Sequence, residues 1–274
     1  MSAPGETRVS PNWLALREPA DADARARDLA EALERALPPS GPRVIHDLGC
    51  GTGAMGRWLA PLLAGPQHWV LHDRDPDLLA LAAAEAPGPA ADGAPVTVEA
   101  KSTDLARMDA RDLDGATAIT ASALLDMLTA DELDRLVDLC AGARCPVLLT
   151  LSVIGSVELG PPDPLDRRVA AAFDGHQRRE TERGALLGPD AADYAAEAFR
   201  RLGAEVLVRP SPWRLGPEDA ALTAEWFTGW VAAASEQEPE LAAECEPYAR
   251  QRLEQARAGD LAVTVGHADL LVLP

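Results

Sequence analysis

The 274 residues carry a formal net charge of −19, and 47% of them are hydrophobic. That length suits one α/β domain with additions and a substantial core, and no apolar run is long enough to cross a bilayer. The acidic balance disfavours a nucleic-acid partner, whose binding depends on cations that neutralise phosphates.

Residues 1–12 read as loose and polar, with Pro4, Glu6 and Arg8 where a signal peptide would be apolar. Trp13 to Pro19 leads into a periodic segment, Ala20 to Leu37, with Leu29, Leu33 and Leu37 on one face. Pro38-Pro39 and Gly41-Pro42 end it. Residues 43–64 hold a first strand, a glycine turn and a helix. His68 to Asp73 is a second strand; Asp75-Pro76 opens a helix that ends near Pro87, and a loop covers 87–95. Val96 to Glu99 is a third strand, followed by Thr103-Asp104-Leu105. Asp114 to Ala121 reads as a fourth strand, with Ser122 to Leu128 at its exit. Thr129 and Glu132 have the spacing of a capping box for a helix over 130–141. Pro146 to Ser152 is a fifth strand.

Beyond it, residues 163–183 alternate arginines with acids, and Asp174-Gly175 is expected to interrupt their helix. Pro189 to Leu202 is a helix and Ala204 to Val208 a sixth strand. Residues 210–257 read as a helical insertion bearing Trp213, Trp226 and Trp230. Leu261 to Leu273 is one bulged strand or two short ones, interrupted by Gly266-His267-Ala268-Asp269. No linker divides the chain, so 1–274 reads as one domain: a helical cap (1–42), a core (43–152) and substrate-side elements (153–274). Cys50, Cys140, Cys145 and Cys245 make no CxxC pair, and the five histidines have no ligand spacing. A reduced, cytoplasmic protein without a metal is the expectation.

In the turn after the first strand, an apolar run ends in Asp47, and Gly49, Gly51 and Gly53 alternate behind it. A strand that delivers a carboxylate to the sheet edge, followed by glycines that tolerate positive φ, suits a ligand lying on bare backbone. The pattern resembles the first motif of the class I S-adenosylmethionine (SAM)-dependent methyltransferases, and the likeness runs over roughly residues 43–152. Gly51-x-Gly53-x-x-Gly56 also fits the dinucleotide pattern. The resemblance implies a seven-stranded, doubly wound, mostly parallel sheet, with extra helices at the N-terminus and near the C-terminus. It further implies SAM as cofactor, held by Asp47, Gly49, Gly51, Gly53, Asp73, Arg74, Asp104, Leu105 and Ser122. Asp73 lies where an acid receives ribose hydroxyls; Asp104 lies where the family contacts the adenine amino group, or it is only a turn aspartate.

The implied function is methyl transfer to a small-molecule acceptor, an anionic or natural-product metabolite, with neither nucleic acid nor membrane as partner. The acceptor's nucleophile must be held in line with the methyl and water excluded. His176 is the first candidate for a base and Asp126 the second, with His267 third; a lone histidine is more often structural. Trp13, Arg17, Gln177, Arg178 and Trp213 are candidates for binding the acceptor. Arg17 and Arg25 suit a ligand carboxylate, or are merely paired with nearby acids. The rival readings are an NAD(P)-dependent oxidoreductase and a non-catalytic SAM-binding protein. Acceptor identity, the methylated atom and oligomeric state are beyond the sequence.

Overall fold

The computed structural model describes residues 9–274; residues 1–8, with Pro4, Glu6 and Arg8, lie outside the described part. Its strands are β1 (Arg43–Leu48), β2 (Gln67–Asp73), β3 (Val96–Ser102), β4 (Ala118–Ser122), β5 (Val147–Gly160), a two-residue ribbon β6 (Glu180–Thr181) and β7 (Gly184–Ala185), then β8 (Glu205–Pro210), β9 (Trp213–Leu215) and β10 (Ala262–Leu273). Its helices are α1 (Pro11–Ala24), α2 (Arg27–Ala36), α3 (Ala54–Leu59), α4 (Pro76–Ala84), α5 (Ala130–Gly142), α6 (Asp166–Gln177), α7 (Ala191–Arg201), α8 (Ala220–Gln237) and α9 (Ala242–Ala258).

The main sheet has the order β3-β2-β1-β4-β5-β10-β8, with β9 joined to β10 off this path. The first five strands are parallel, and β10 runs antiparallel to β5, β8 and β9. Such a sheet needs cover on both faces. On one face Ile119, Val147 and Leu149 pack with α5 and α7 through Leu133, Val137 and Phe199. On the other, Ile45, Trp69 and Leu71 pack with α2 and α3 through Leu29, Leu33 and Leu59. A third apolar cluster joins α6, α8, α9 and β9 to the outer part of β5 and β10, with Phe227 and Trp230 at its centre and α1 at its side.

Several expected boundaries move. α1 already begins at Pro11, inside the stretch read as loose, and it contains Pro19. The segment from Ala20 to Leu37 is two helices rather than one, broken at Arg25 and Ala26. The break is held from afar: the Ala26 amide donates to Asp269 at 2.8 Å. β4 starts at Ala118 rather than Asp114, because Asp109 and Asp112 cap a short turn of helix over Ala110–Leu113. α6 runs unbroken through Gly175. A Cβ there would meet Gln237 at 3.3 Å, so this glycine serves helix approach rather than a helix end. The capping box at Thr129 and Glu132 forms as the spacing predicts. The last apolar stretch is one strand, with register shifts between Val265 and His267 and between Ala268 and Leu270.

Candidate functional site

The turn after β1 is built on backbone that only glycine adopts easily. Gly49, Gly51 and Gly53 have φ of +66°, +55° and +82°. The Gly51 amide donates to Asp73 Oδ2 at 2.9 Å, and the Asp75 amide donates to Oδ1 at 2.9 Å. The strand-end carboxylate of β2 is thereby fixed by the turn that β1 feeds. α1 and the exit of β4 close over this turn. A Cβ on Gly51 would meet Leu14 at 3.2 Å, and one on Gly49 would meet Leu124 at 3.3 Å.

Beside the turn lie two buried charges with unfilled hydrogen bonds. Asp47 is 1% exposed; its Oδ1 accepts from Thr120 Oγ1 at 2.7 Å, while Oδ2 has no partner. Burial pushes its pKa up to about 7, against the pull of Thr120 and Arg25. Arg25 is 3% exposed. Its Nη2 donates to Ser122 Oγ at 3.1 Å and its guanidinium lies 5.3 Å from the Trp58 ring, but Nε and Nη1 donate to nothing. Burial lowers the Arg25 pKa although Asp21, Asp269 and Asp47 face it. An unpaired buried donor or acceptor costs about 1–3 kcal/mol, and here a guanidinium and a carboxylate side by side both keep hydrogen-bonding capacity unused.

Asp269 holds the surrounding backbone. It is fully buried and accepts from Ser211 Oγ at 2.5 Å and from the Ala26 and Leu151 amides at 2.8 Å each. Leu151 and Ala123 both have positive φ, +58° and +51°. Strain of that kind costs about 1–3 kcal/mol per residue and collects at ligand sites. Here it lies where β4 and β5 leave the parallel register.

On the far side of Arg25, one turn of α1 carries Arg17 and Asp21. Arg17 Nε and Nη2 donate to Asp21 at 2.9 and 3.1 Å, and Trp213 Nε1 donates to the same carboxylate at 2.9 Å. The Arg17 guanidinium sits 4.9 Å from the Trp213 ring and 5.8 Å from that of Trp13. Asp126 completes the group: burial raises its pKa, with Arg17 and Arg179 opposing. Trp13, Arg17, Trp213 and Asp126, read separately from the sequence, thus gather along one side of α1.

The remaining expected residues are placed as follows. His176 Nε2 lies 3.2 Å from Glu236 on α8, and Arg178 is paired with Asp190 at 2.6 Å. Both are part of an ion-pair surface between α6 and its neighbours, because the unbroken helix keeps them there. Gln177 has a buried Oε1 without a partner. Asp104 is exposed at the exit of β3, accepts from the Ala106 amide at 3.1 Å and pairs with Arg107. Leu105 packs toward Gly49, and Arg74 is exposed where β2 ends. Ser122 takes hydrogen bonds from both Arg25 and Thr150. Sequence reasoning did not single out Thr120, Trp58 or Asp269. The only signal for Asp269 was a polar interruption of an apolar run.

Two surface clefts, of about 290 and 270 Å³, lie at the opposite, amino-terminal edge of the parallel strands, beside Gly115 and Leu139 and beside Cys145 and Leu202. They gather no ionisable cluster. Among the described residues no group of histidines, cysteines and acids is arranged to hold a metal, and no helix is long and apolar enough to cross a membrane.

No family model matches this chain, and no curated protein sequence does. Solved structures do match. A cyclopropane-fatty-acyl-phospholipid synthase-like protein from Lactobacillus casei is 18% identical, with a TM-score of 0.53 over 99% of this chain and 96% of that one. A cyclopropane synthase from Mycobacterium tuberculosis is 13% identical, with a TM-score of 0.50 over 96% and 94%. At such identities the likeness is one of fold. The order of the sheet and its one antiparallel insertion are those of the class I methyltransferase fold.

Proposed function

We propose that this chain is a SAM-dependent methyltransferase that acts on a small-molecule acceptor. One observation carries the reading. Beside a turn of three positive-φ glycines, a buried guanidinium and a buried carboxylate each keep polar atoms without partners. The amino-acid end of SAM, with its carboxylate and ammonium, fits Arg25 and Asp47 charge for charge. In the same reading Asp73 receives the ribose hydroxyls, Asp104, Leu105 and Arg74 line the adenine end, and Ser122 and Gly49 to Gly53 back the middle.

When bound, SAM supplies a sulfonium methyl that is already electrophilic. The protein's share is therefore orientation and proton handling. α1, through Leu14 and Trp13, excludes water from the turn. Asp126, its pKa raised by burial, is the better-supported group for taking a proton from the acceptor. His176, Gln177 and Arg178 stay candidates for contact with an anionic acceptor, from the outer side of α6. The acceptor is proposed to be a small metabolite rather than nucleic acid, in keeping with a net charge of −19, and the reaction to be cytoplasmic.

The oxidoreductase rival is weaker. Gly56, the third glycine of its pattern, is packed against Pro87 and Trp69, which is a helix-packing role. Lys101 is also the sole lysine, so no Tyr-x-x-x-Lys pair exists.

Calorimetry with SAM, its demethylated product, NAD and NADP tests the reading. SAM and its product are expected to bind and the dinucleotides to fail; Asp73→Ala should weaken SAM by about 1–3 kcal/mol. NAD binding without SAM binding would overturn it. SAM binding without turnover over a broad acceptor panel would favour a non-catalytic SAM-binding protein.

A further inference from the structure

His267 lies between the two register shifts of β10, opposite Val153, just past the part of β5 that pairs in parallel with β4. The kinked strand turns its ring against Trp213, at 5.3 Å between centroids and 52° between planes. Trp213 is itself fixed by its bond to Asp21, which also fixes Arg17. His267 is only 3% exposed, yet its Nδ1 has no hydrogen-bond partner. Its backbone carbonyl, by contrast, is used: it accepts from the Ser211 amide at 2.9 Å. The groups facing the ring from other elements are Arg17 on α1 and Trp213 on β9. Neither accepts a hydrogen bond, and the cation opposes protonation. Burial, then Arg17, push the imidazole down to about 3, against a hydrogen bond to the Val265 backbone. The ring is neutral throughout the physiological range.

A nucleophile poised for methyl transfer must keep a lone pair toward the methyl carbon, so its hydrogen has to be turned toward an acceptor. A neutral imidazole nitrogen with a bare lone pair is such an acceptor. We propose that His267 positions the methyl acceptor by receiving a hydrogen bond at Nδ1 from its hydroxyl, and that the acceptor is a small aromatic alcohol. The proposal rests on the methyl-transfer reading above and narrows it. Trp13, half-buried and edge-on to Trp213 at 6.4 Å, offers apolar surface for a flat body, and one orphaned acceptor atom suits one hydroxyl. As the oxygen–carbon bond forms and the carbon–sulfur bond breaks, the hydroxyl proton passes to Nδ1 and is relayed to Asp126, the group proposed above to take it; both residues face Arg17. A weak base suffices there, because a methylated hydroxyl is far more acidic than imidazolium.

Nitrogen NMR on protein carrying ¹⁵N-histidine tests this with phenol as the probe and anisole, which lacks the hydroxyl, as its control. At pH 7, with and without the demethylated cofactor, Nδ1 of His267 should appear as an unprotonated nitrogen. Phenol should move that resonance saturably, and anisole should not. His267→Leu should raise the Michaelis constant for phenol about tenfold with cofactor affinity unchanged, and His267→Asn should recover most of the loss. A protonated Nδ1, or one that ignores phenol, overturns the proposal even where the cofactor binds. Failure of SAM to bind the wild-type protein in calorimetry instead overturns the methyl-transfer reading, and the state of Nδ1 is read in either case.

Discussion

The two sides of the carboxyl edge are built on opposite principles. Around the glycine turn, charges are buried and left short of partners, as in Arg25 and Asp47. In the outer cap a buried cation is ion-paired. Arg252 is 1% exposed; its Nη2 donates to both carboxylate oxygens of Asp166, at 2.7 and 2.8 Å, its Nη1 donates to the Pro161 carbonyl at 2.7 Å, and Tyr248 donates to the same carboxylate at 2.7 Å. Arg168 likewise ties α6 to Glu238 and Glu244. Arg252 also keeps one unpartnered atom, its Nε, so neither burial nor a single orphaned nitrogen marks a functional charge. What differs is the counter-charge: Arg252 sits on the Asp166 carboxylate, whereas among the described residues the Arg25 guanidinium has no carboxylate in hydrogen-bond contact and only the Ser122 hydroxyl as acceptor.

The sharpest way to break this contrast is to remove one arginine from each side. Arg252→Ala leaves the Asp166 carboxylate without its partner, which is expected to cost about 3–5 kcal/mol of stability, measured by denaturant unfolding. Cofactor affinity of the surviving folded fraction should not change. Arg25→Ala should do the reverse: SAM affinity falls by about 1.5–3 kcal/mol, while stability stays within about 1 kcal/mol of wild type. Equal effects of both variants on both readouts would erase the distinction.

Asp126 and His176 offer a similar comparison within the acceptor side. Asp126→Asn is expected to lower turnover by roughly 10²–10⁴-fold with cofactor binding intact. His176→Ala, which frees Glu236 and the edge of Arg179, should alter turnover by less than about threefold. The reverse ranking in steady-state kinetics would restore His176 as the base.

Two buried titrating sites separate the regions by pH. His46 and His72 form a buried pair, Nδ1 to Nε2 at 3.0 Å, and both are pushed down to about 4, chiefly by burial. Unfolded histidine ionises near 6.5, so between pH 6.5 and 4 the unfolded chain takes up protons that the folded chain refuses. Their joint contribution is complete above pH 6.5 and is lost as pH falls toward 4. Asp47 acts in the other direction. Its folded pKa is raised to about 7, so its contribution is greatest below its ordinary 3.8 and is lost as pH rises through 7. Acid unfolding should therefore steepen in Asp47→Asn. The cofactor ammonium favours the ionised carboxylate, so SAM affinity should rise with pH up to about 7 in wild type and stay flat in Asp47→Asn. A flat wild-type profile would remove Asp47 from the site.

Much of the cofactor side was legible because its signals are local. The run into Asp47, the alternating glycines and the Thr129–Glu132 box each fit within a few residues. The parts that close over the glycine turn, and the outer cap, were not. The break at Arg25 depends on Asp269, 243 positions away from Ala26, and nothing near Arg25 in the chain announces it. β5 was cut short at Ser152 because Ile154 to Glu158 mixes polar and apolar residues around Gly155. That pattern arises since one side of the extension packs on the cap and the other faces solvent. Asp174-Gly175 resembled a helix end, but the glycine answers to Gln237 on another helix.

Asp269 also sets the order in which this protein is finished during synthesis. The Ala26 and Leu151 amides are made 243 and 118 residues before the carboxylate that receives them. Until β10 has left the ribosome and inserted between β5 and β8, the α1–α2 junction has no anchor and Leu151 has nothing to hold it at positive φ. A nascent chain lacking β10 can form the glycine turn, yet it cannot close the pocket around Arg25. Contacts of such long range make folding slow, and they tie closure of the pocket around Arg25 to the docking of β10.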